Sequence, residues 1–352
     1  MDTLKLMEEL TQVIGIAGDE RYVSELLKSY LQPYCDELIY DHLGSLFAIK
    51  KSQKENAKKV MVCGHMDEVG LMITEVTTNG LLKFIKIGSI DNQVLLSHRV
   101  RVLKQDGQEV PGTIGCSLKD VEVCDDKKMF IDVGATSKQD VEAMGVSIGD
   151  SAVLDGPFTV LNQNRILSKA WDNRYGCVMA VEVLEALKDV ELDYDLYIGA
   201  TVQEEVGMRG ATTATGLIRP DMGIVMDCSF ADDYQGKDNE IGKLGAGILI
   251  RYYDKGMMPN RALLNELVET CQKNNIPYQY FYNMGQTDSA WIHKLFSGCP
   301  TLSACICARG GHTSQSMIDL RDYMNAKKAI IHILTSLDES KIQMFKEENR
   351  YR

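Results

Sequence analysis

At 352 residues the chain is longer than one small core requires, and 45% hydrophobic residues suffice to fill two. The balance of 38 basic against 50 acidic residues gives a net charge of -12 with no basic stripe, which argues against nucleic acid or anionic membranes as partners. Ten cysteines without framework spacing read as reduced, buried thiols, with Cys305 and Cys307 on one face of a strand. The first ten residues carry acids within their apolar pattern and lack a signal-type core. No run of membrane length follows, so a cytoplasmic location is expected.

Taken in order, residues 3–14 place Leu4, Met7, Leu10 and Val13 at helical spacing, and Asp19 opens a second helical pattern through Tyr22, Leu26, Leu27 and Leu31. Glu37–Tyr40 and Leu46–Lys50 flank a polar, glycine-containing turn and predict a hairpin. Val60–Cys63 is a buried strand that delivers His65, Asp67 and Glu68. From 69 to 164 short alternating runs are separated by glycine turns, which predicts a β-rich insertion, a small β-barrel. From Asp172 helices and strands alternate again, as in a mostly parallel sheet. The predicted fold is therefore α/β. Residues 1–68 and 165–352 form a mostly parallel sheet flanked by helices, interrupted by the barrel at 69–164.

The chemistry collects where apolar strands end. The run Leu196–Val202 finishes in Gln203, Glu204 and Glu205, and burying unpaired carboxylates costs several kcal/mol unless a positive charge compensates them. A metal centre would do so, with one glutamate as ligand and its neighbour as proton carrier, because successive side chains of an extended segment point opposite ways. A right-handed crossover makes the strands at 195–203 and 223–227 parallel and brings Glu205 and Asp227 to the same sheet edge. Thr301–Cys307 runs on into Arg309, Gly310, Gly311 and His312.

Singly, these residues have plain readings. His65 fits a satisfied structural histidine, as do His42, His98, His293 and His332, Asp172 fits a helix N-cap, and His312 fits a turn. Jointly, two histidines and several acids at strand ends meet the needs of a two-metal site, and Asp67 is spaced to share the face of His65 and fix its tautomer. Gly242–Gly247 lacks the ending of a phosphate loop, and Ser303, Ser314 and Ser316 form no nucleophile elbow.

Several stretches carry a resemblance: Gly64-His65-Met66-Asp67-Glu68-Val69-Gly70, Ala170-Trp171-Asp172-Asn173-Arg174, Glu204-Glu205-Val206-Gly207-Met208-Arg209-Gly210, Asp227 and Arg309-Gly310-Gly311-His312, with Asp132–Ala135 and Gly145–Asp150 in the insertion. Over essentially its whole length the chain resembles the cytosolic dinuclear-metal aminopeptidases that include bacterial glutamyl aminopeptidase and the tetrahedral (TET) aminopeptidases. The resemblance implies a zinc-exopeptidase-like fold holding two divalent ions, zinc or cobalt, with Asp172 bridging them. His65 and Asp227 then complete one site, and Glu205 and His312 the other. Glu204 is implied as general base towards a water activated by both metals, and Asp67 as the residue that orients His65. The implied substrates are peptides with a free N-terminus, and the implied assembly is a homo-oligomer, a dodecamer built from dimers through the insertion.

Two departures bear on the pocket. Gln286 stands where the family commonly has glycine, and Gly310-Gly311 where a tyrosine and an aliphatic residue are common. Preference for an acidic first residue requires a cation, for which Lys243 and Arg251 are the candidates. The competing functions are a metal-dependent deacylase or dipeptidase and a non-catalytic metal-dependent assembly protein.

Overall fold

The computed structural model describes residues 2–117, 119, 121, 125–238 and 240–348. The chain opens with helices α1 (Thr3–Gln12) and α2 (Arg21–Leu31), the hairpin β1 (Glu37–Tyr40) and β2 (Leu46–Lys50), and the buried strand β3 (Lys58–His65). Asp2 starts α1 by accepting the backbone N–H groups of Leu4 and Lys5. Next come β4 (Gly70–Val76), β5 (Leu82–Ile87), α3 (Asn92–Leu95), β6 (Arg99–Leu103), β7 (Glu109–Cys116), β8 (Met129–Asp132), α4 (Lys138–Met144) and β9 (Ser151–Leu154). The chain continues through β10 (Thr159–Leu161), β11 (Arg165–Ser168), α5 (Trp171–Leu187), β12 (Tyr194–Thr201), α6 (Arg209–Ile218), β13 (Met222–Val225), β14 (Cys228–Phe230) and β15 (Ile248–Tyr253). It ends with α7 (Arg261–Lys273), β16 (Tyr278–Tyr282), α8 (Ser289–Ile292), β17 (Thr301–Ala308), β18 (Ser316–Asp319), α9 (Leu320–Ser336) and α10 (Glu339–Glu347).

The main sheet has the order β1-β2-β12-β3-β13-β17-β15-β16, with β14 beside β17. Strands β12, β3, β13 and β17 are mutually parallel, as the alternation of helices and strands predicts, while β2 and β15 join them antiparallel. Strands β4 to β9 close into an antiparallel barrel, and period-two alternation turns Leu71, Ile73, Val100, Val102 and Ile131 into its core. Strands β10, β11 and β18 form a small separate sheet. Cys305 and Cys307 share one cluster with Leu249 and Phe281, on one face as expected, and every described cysteine is free. No described helix is long and apolar enough to cross a membrane.

Two contacts seat α5, the helix that carries Asp172, on β3. Gly64 and Gly176 meet backbone to backbone, so a Cβ on Gly176 would lie 2.7 Å from the Gly64 Cα and 2.7 Å from the Met226 carbonyl oxygen. The fully buried Arg174 then satisfies the chain where α1 ends and β3 leaves the sheet. Its Nε donates to the Met66 carbonyl at 2.7 Å, Nη1 to those of Leu10 at 2.5 Å and Val13 at 2.8 Å, and Nη2 to Glu68 at 3.1 Å. Lys169 donates to the same carboxylate at 2.6 Å, and its burial pulls the ammonium down to about 7. Glu68 is thus a buried anion held by two buried cations, an arrangement that fixes geometry more than it adds stability.

Gly176→Ala is expected to force α5 off β3 and to lower stability by about 1–3 kcal/mol, the range for overpacking a filled core. Urea denaturation measures it, and an unchanged midpoint would show that the helix is free to shift.

Candidate active site

Because four strands run parallel, their C-terminal ends face one edge, and the residues that follow them meet there. His65 ends β3 opposite Thr201 of β12. Its Nδ1 lies 3.0 Å from the Asp67 carbonyl oxygen and 3.4 Å from Asp67 Oδ1. An N–H at Nδ1 leaves the Nε2 lone pair free in the neutral ring, and Nε2 is 3.1 Å from Asp172 Oδ1. Asp67 does more than face the histidine. Its Oδ1 accepts the backbone N–H of Glu204 and its Oδ2 that of Glu205, each at 3.0 Å, which ties the turn after β12 to the end of β3. That turn passes through Gln203 at φ +56°, whose N–H is accepted by Glu20 at 3.0 Å.

Asp172 does not cap α5. Its backbone is non-helical, and the capping contact belongs to Asn173, whose Oδ1 accepts the Gly176 N–H at 3.0 Å while its Nδ2 donates to the Met226 carbonyl at 2.7 Å. The Asp172 carboxylate is thereby free to divide its oxygens. Oδ1 faces His65, and Oδ2 lies 3.5 Å from His312 Nε2. His312, at φ +56° after β17, is also 3.3 Å from Glu205 Oε1. Asp227 follows β13 and accepts the Cys228 N–H at 2.7 Å.

The charge balance is uneven. Burial would raise the Asp172 carboxyl, but hydrogen bonds from His312 and His65 outweigh it and hold Asp172 well below the usual carboxylate range. Burial would lower His312, yet Asp172 and Glu205 raise it to about 11. Glu204, Glu205 and Asp227 go the other way, pushed up first by burial and then by neighbouring carboxylates. Two imidazoles cannot neutralise that many acids. Glu205 Oε1 is buried and, among the described residues, has no hydrogen bond beyond the 3.3 Å ion-pair contact with His312 Nε2. Two overlapping groups, His65 with Glu204 and Asp227, and His65 with Asp172 and Glu205, bring their donor atoms within 4.8 Å of one another. This mixed nitrogen and oxygen set fits divalent cations.

All seven residues singled out at the strand ends, His65, Asp67, Asp172, Glu204, Glu205, Asp227 and His312, come together here. Of the two specificity cations, Arg251 lines the adjoining cavity of about 380 Å³ with Met208, Phe230, Asn283 and Gln286, and its Nη1 donates to Ser229 Oγ at 3.0 Å. Lys243 does not line it, because its Nζ donates to the Asp238 carbonyl at 3.0 Å. Sequence reasoning passed over Phe230, although it lies three residues beyond Asp227 and next to a strand end. It also gave no role to Asp288, a buried acid that hydrogen-bonds Thr201 and is raised to about 7 by burial.

Comparison with known proteins places the chain in a class of peptide hydrolases. Residues 44–329 match the model of the M42 glutamyl aminopeptidases, and the chain belongs to that family. It is an aminopeptidase by that membership, a hydrolase acting on peptides. It is 33% identical to the glutamyl aminopeptidase of Lactococcus lactis over 98% of this chain and 99% of that one. It is 30% identical to the lysyl aminopeptidase of Pyrococcus furiosus over 95% and 98%. Among solved structures, the TET aminopeptidase of a marine-sediment Thaumarchaeota archaeon superposes with a TM-score of 0.93 at 32% identity, covering 98% of this chain and 100% of that one. The Pyrococcus horikoshii TET1 peptidase, which can assemble into a tetrahedron or a large octahedral shell, gives 0.86 at 27% identity over 96% and 100%.

Removing the Asp67 carboxylate leaves two part-buried N–H groups without an acceptor, each worth up to about 1–3 kcal/mol. Asp67→Ala is therefore expected to lose roughly 2–5 kcal/mol in chemical denaturation, and a loss under about 1 kcal/mol would show that water replaces the carboxylate.

Proposed function

We propose that the protein is a dinuclear metallo-aminopeptidase that removes N-terminal residues from peptides. One observation carries the reading: the two oxygens of a single carboxylate, Asp172, face two histidines brought from different strands, at 3.1 and 3.5 Å. Asp172 would be shared between two ions, with His65 and Asp227 completing one set and Glu205 and His312 the other. When bound, such ions, zinc or cobalt, polarise a carbonyl and bring water towards neutral acidity.

The remaining work falls to the chain. Glu204 sits on the turn that Asp67 holds by two hydrogen bonds, and its carboxylate oxygen Oε2 lies 3.9 Å from His65 Nε2. Its raised affinity for a proton, caused first by burial, suits a group that takes a proton from water and returns it to the departing amine. Asp67 keeps His65 in one orientation through the Nδ1 contact. The enclosed acids favour a cationic α-amino group at the entrance, which supports action at a free N-terminus. For an acidic first residue the supporting group is Arg251, whose charge is partly met by Asp254 at 3.3 Å.

Likeness to TET structures supports a homo-oligomer, with the barrel as dimerisation domain and a dodecamer as the assembly, which light scattering of the intact protein measures. A cytoplasmic location completes the reading.

Glu204→Gln is expected to keep its metal by elemental analysis while turnover falls about 10²–10⁴-fold, the range for losing a general base. Asp227→Ala is expected to lose metal as well, and a full complement in that variant would refute the ligand assignment. Chelation should abolish turnover and zinc or cobalt restore it.

A panel of glutamyl, leucyl and lysyl anilides, each free and N-acetylated, tests the substrate. Cleavage confined to the free amines is expected, with glutamyl fastest. Preference for the acetylated forms would favour the deacylase instead, and a clear leucyl or lysyl preference would remove Arg251 from specificity.

A further inference from the structure

Gly311 has no side chain for a reason visible in the cavity. A Cβ built on it would lie 2.0 Å from Cε1 of Phe230 and 2.2 Å from its Cδ1, so the Phe230 ring occupies the room a side chain at 311 would take. The ring stands edge-to-face on His312, with centroids 4.8 Å apart and planes at 80°. It is 41% exposed and lines the same cavity as Asp172, Glu204, Glu205 and His312.

Successive side chains of an extended strand point to opposite faces, and β14 obeys this. Ser229 is buried and meets the Arg251 guanidinium at 3.0 Å, while Phe230 turns the other way, to Gly311 and His312. One short strand therefore presents a cationic contact on one side and an apolar one on the other. An exposed aromatic ring is apolar surface that an apolar side chain would cover favourably.

We propose that Phe230 is a specificity-determining residue that takes an aromatic or branched aliphatic side chain flanking the scissile bond, at a subsite separate from Arg251. The inference rests on the aminopeptidase reading. It also accounts for the glycine at 311, because a bulkier residue there and the ring at 230 exclude each other.

The test compares kcat/KM of the wild type and Phe230→Ala on two series of free-amine dipeptides, Xaa-Ala and Ala-Xaa, with Xaa as Gly, Ala, Leu or Phe. In one series the variant is expected to lose at least about 10-fold for Leu and Phe, within the range for apolar pocket contacts, and under about 3-fold for Gly and Ala. Equal loss across all dipeptides would make the ring a support for His312 and overturn the inference. A wild type inactive on every dipeptide would overturn the aminopeptidase reading, and this inference with it. Thermal melting gives a second readout. Gly311→Ala should lower the melting temperature, and Phe230→Ala in that background should recover part of the loss, as expected for two groups competing for one volume. Additive losses would place the ring elsewhere.

Discussion

The position of one carboxylate governs the site. Asp172 can face two histidines because it is relieved of every ordinary duty at the start of α5. Asn173 caps the helix, Arg174 satisfies the carbonyls of neighbouring segments, and Gly176 lets the helix approach β3 closely enough to bring Asp172 beside His65. Five consecutive residues, Asp172 to Gly176, thus perform five tasks. Tyr175, fully buried, donates its hydroxyl to the Ala304 carbonyl at 3.2 Å and fastens the helix to β17 as well. A helix held at this many points tolerates the electrostatic strain of an acid cluster that a loop would relax.

That strain explains the order of the surrounding residues. The carboxylates of Glu204, Glu205 and Asp227 are driven towards their protonated forms by burial, while Asp172 alone is held ionised by both histidines. Charges so arranged are stable only if cations join them or protons do. Backbone N–H groups do part of the work, since Asp67 and Asp227 each accept them, whereas Glu205 Oε1 accepts none among the described residues and faces His312 Nε2 at 3.3 Å. The asymmetry separates anchored acids from acids with capacity left for a ligand.

Much of this was legible in the sequence, for a physical reason. A buried parallel strand reads as an apolar run, so an acid or histidine at its end stands out, and the parallel arrangement forces such ends together. His65, Glu204, Glu205, Asp227 and His312 were all found in this way. What escaped depends on contacts between segments distant in the chain. The capping role passed from Asp172 to Asn173 because a non-helical Asp172 shifts the helix start, which no local preference encodes. Lys243 and Arg251 looked alike as isolated cations, and only the fold turns one into the cavity and the other towards a backbone carbonyl. Nothing local distinguishes Phe230 from other apolar residues, and only the fold sets it against Gly311.

The cavity therefore has two layers of determination. Its strand-end edge is set by packed elements, β3, β12, β13 and the start of α5, whose contacts leave no room for a side chain at Gly64 and Gly176. Its walls come from β14, β15 and the turns at 283–286 and 309–312, where single changes alter volume without moving a strand. On those walls the ring at 230 fits only because residue 311 carries no side chain.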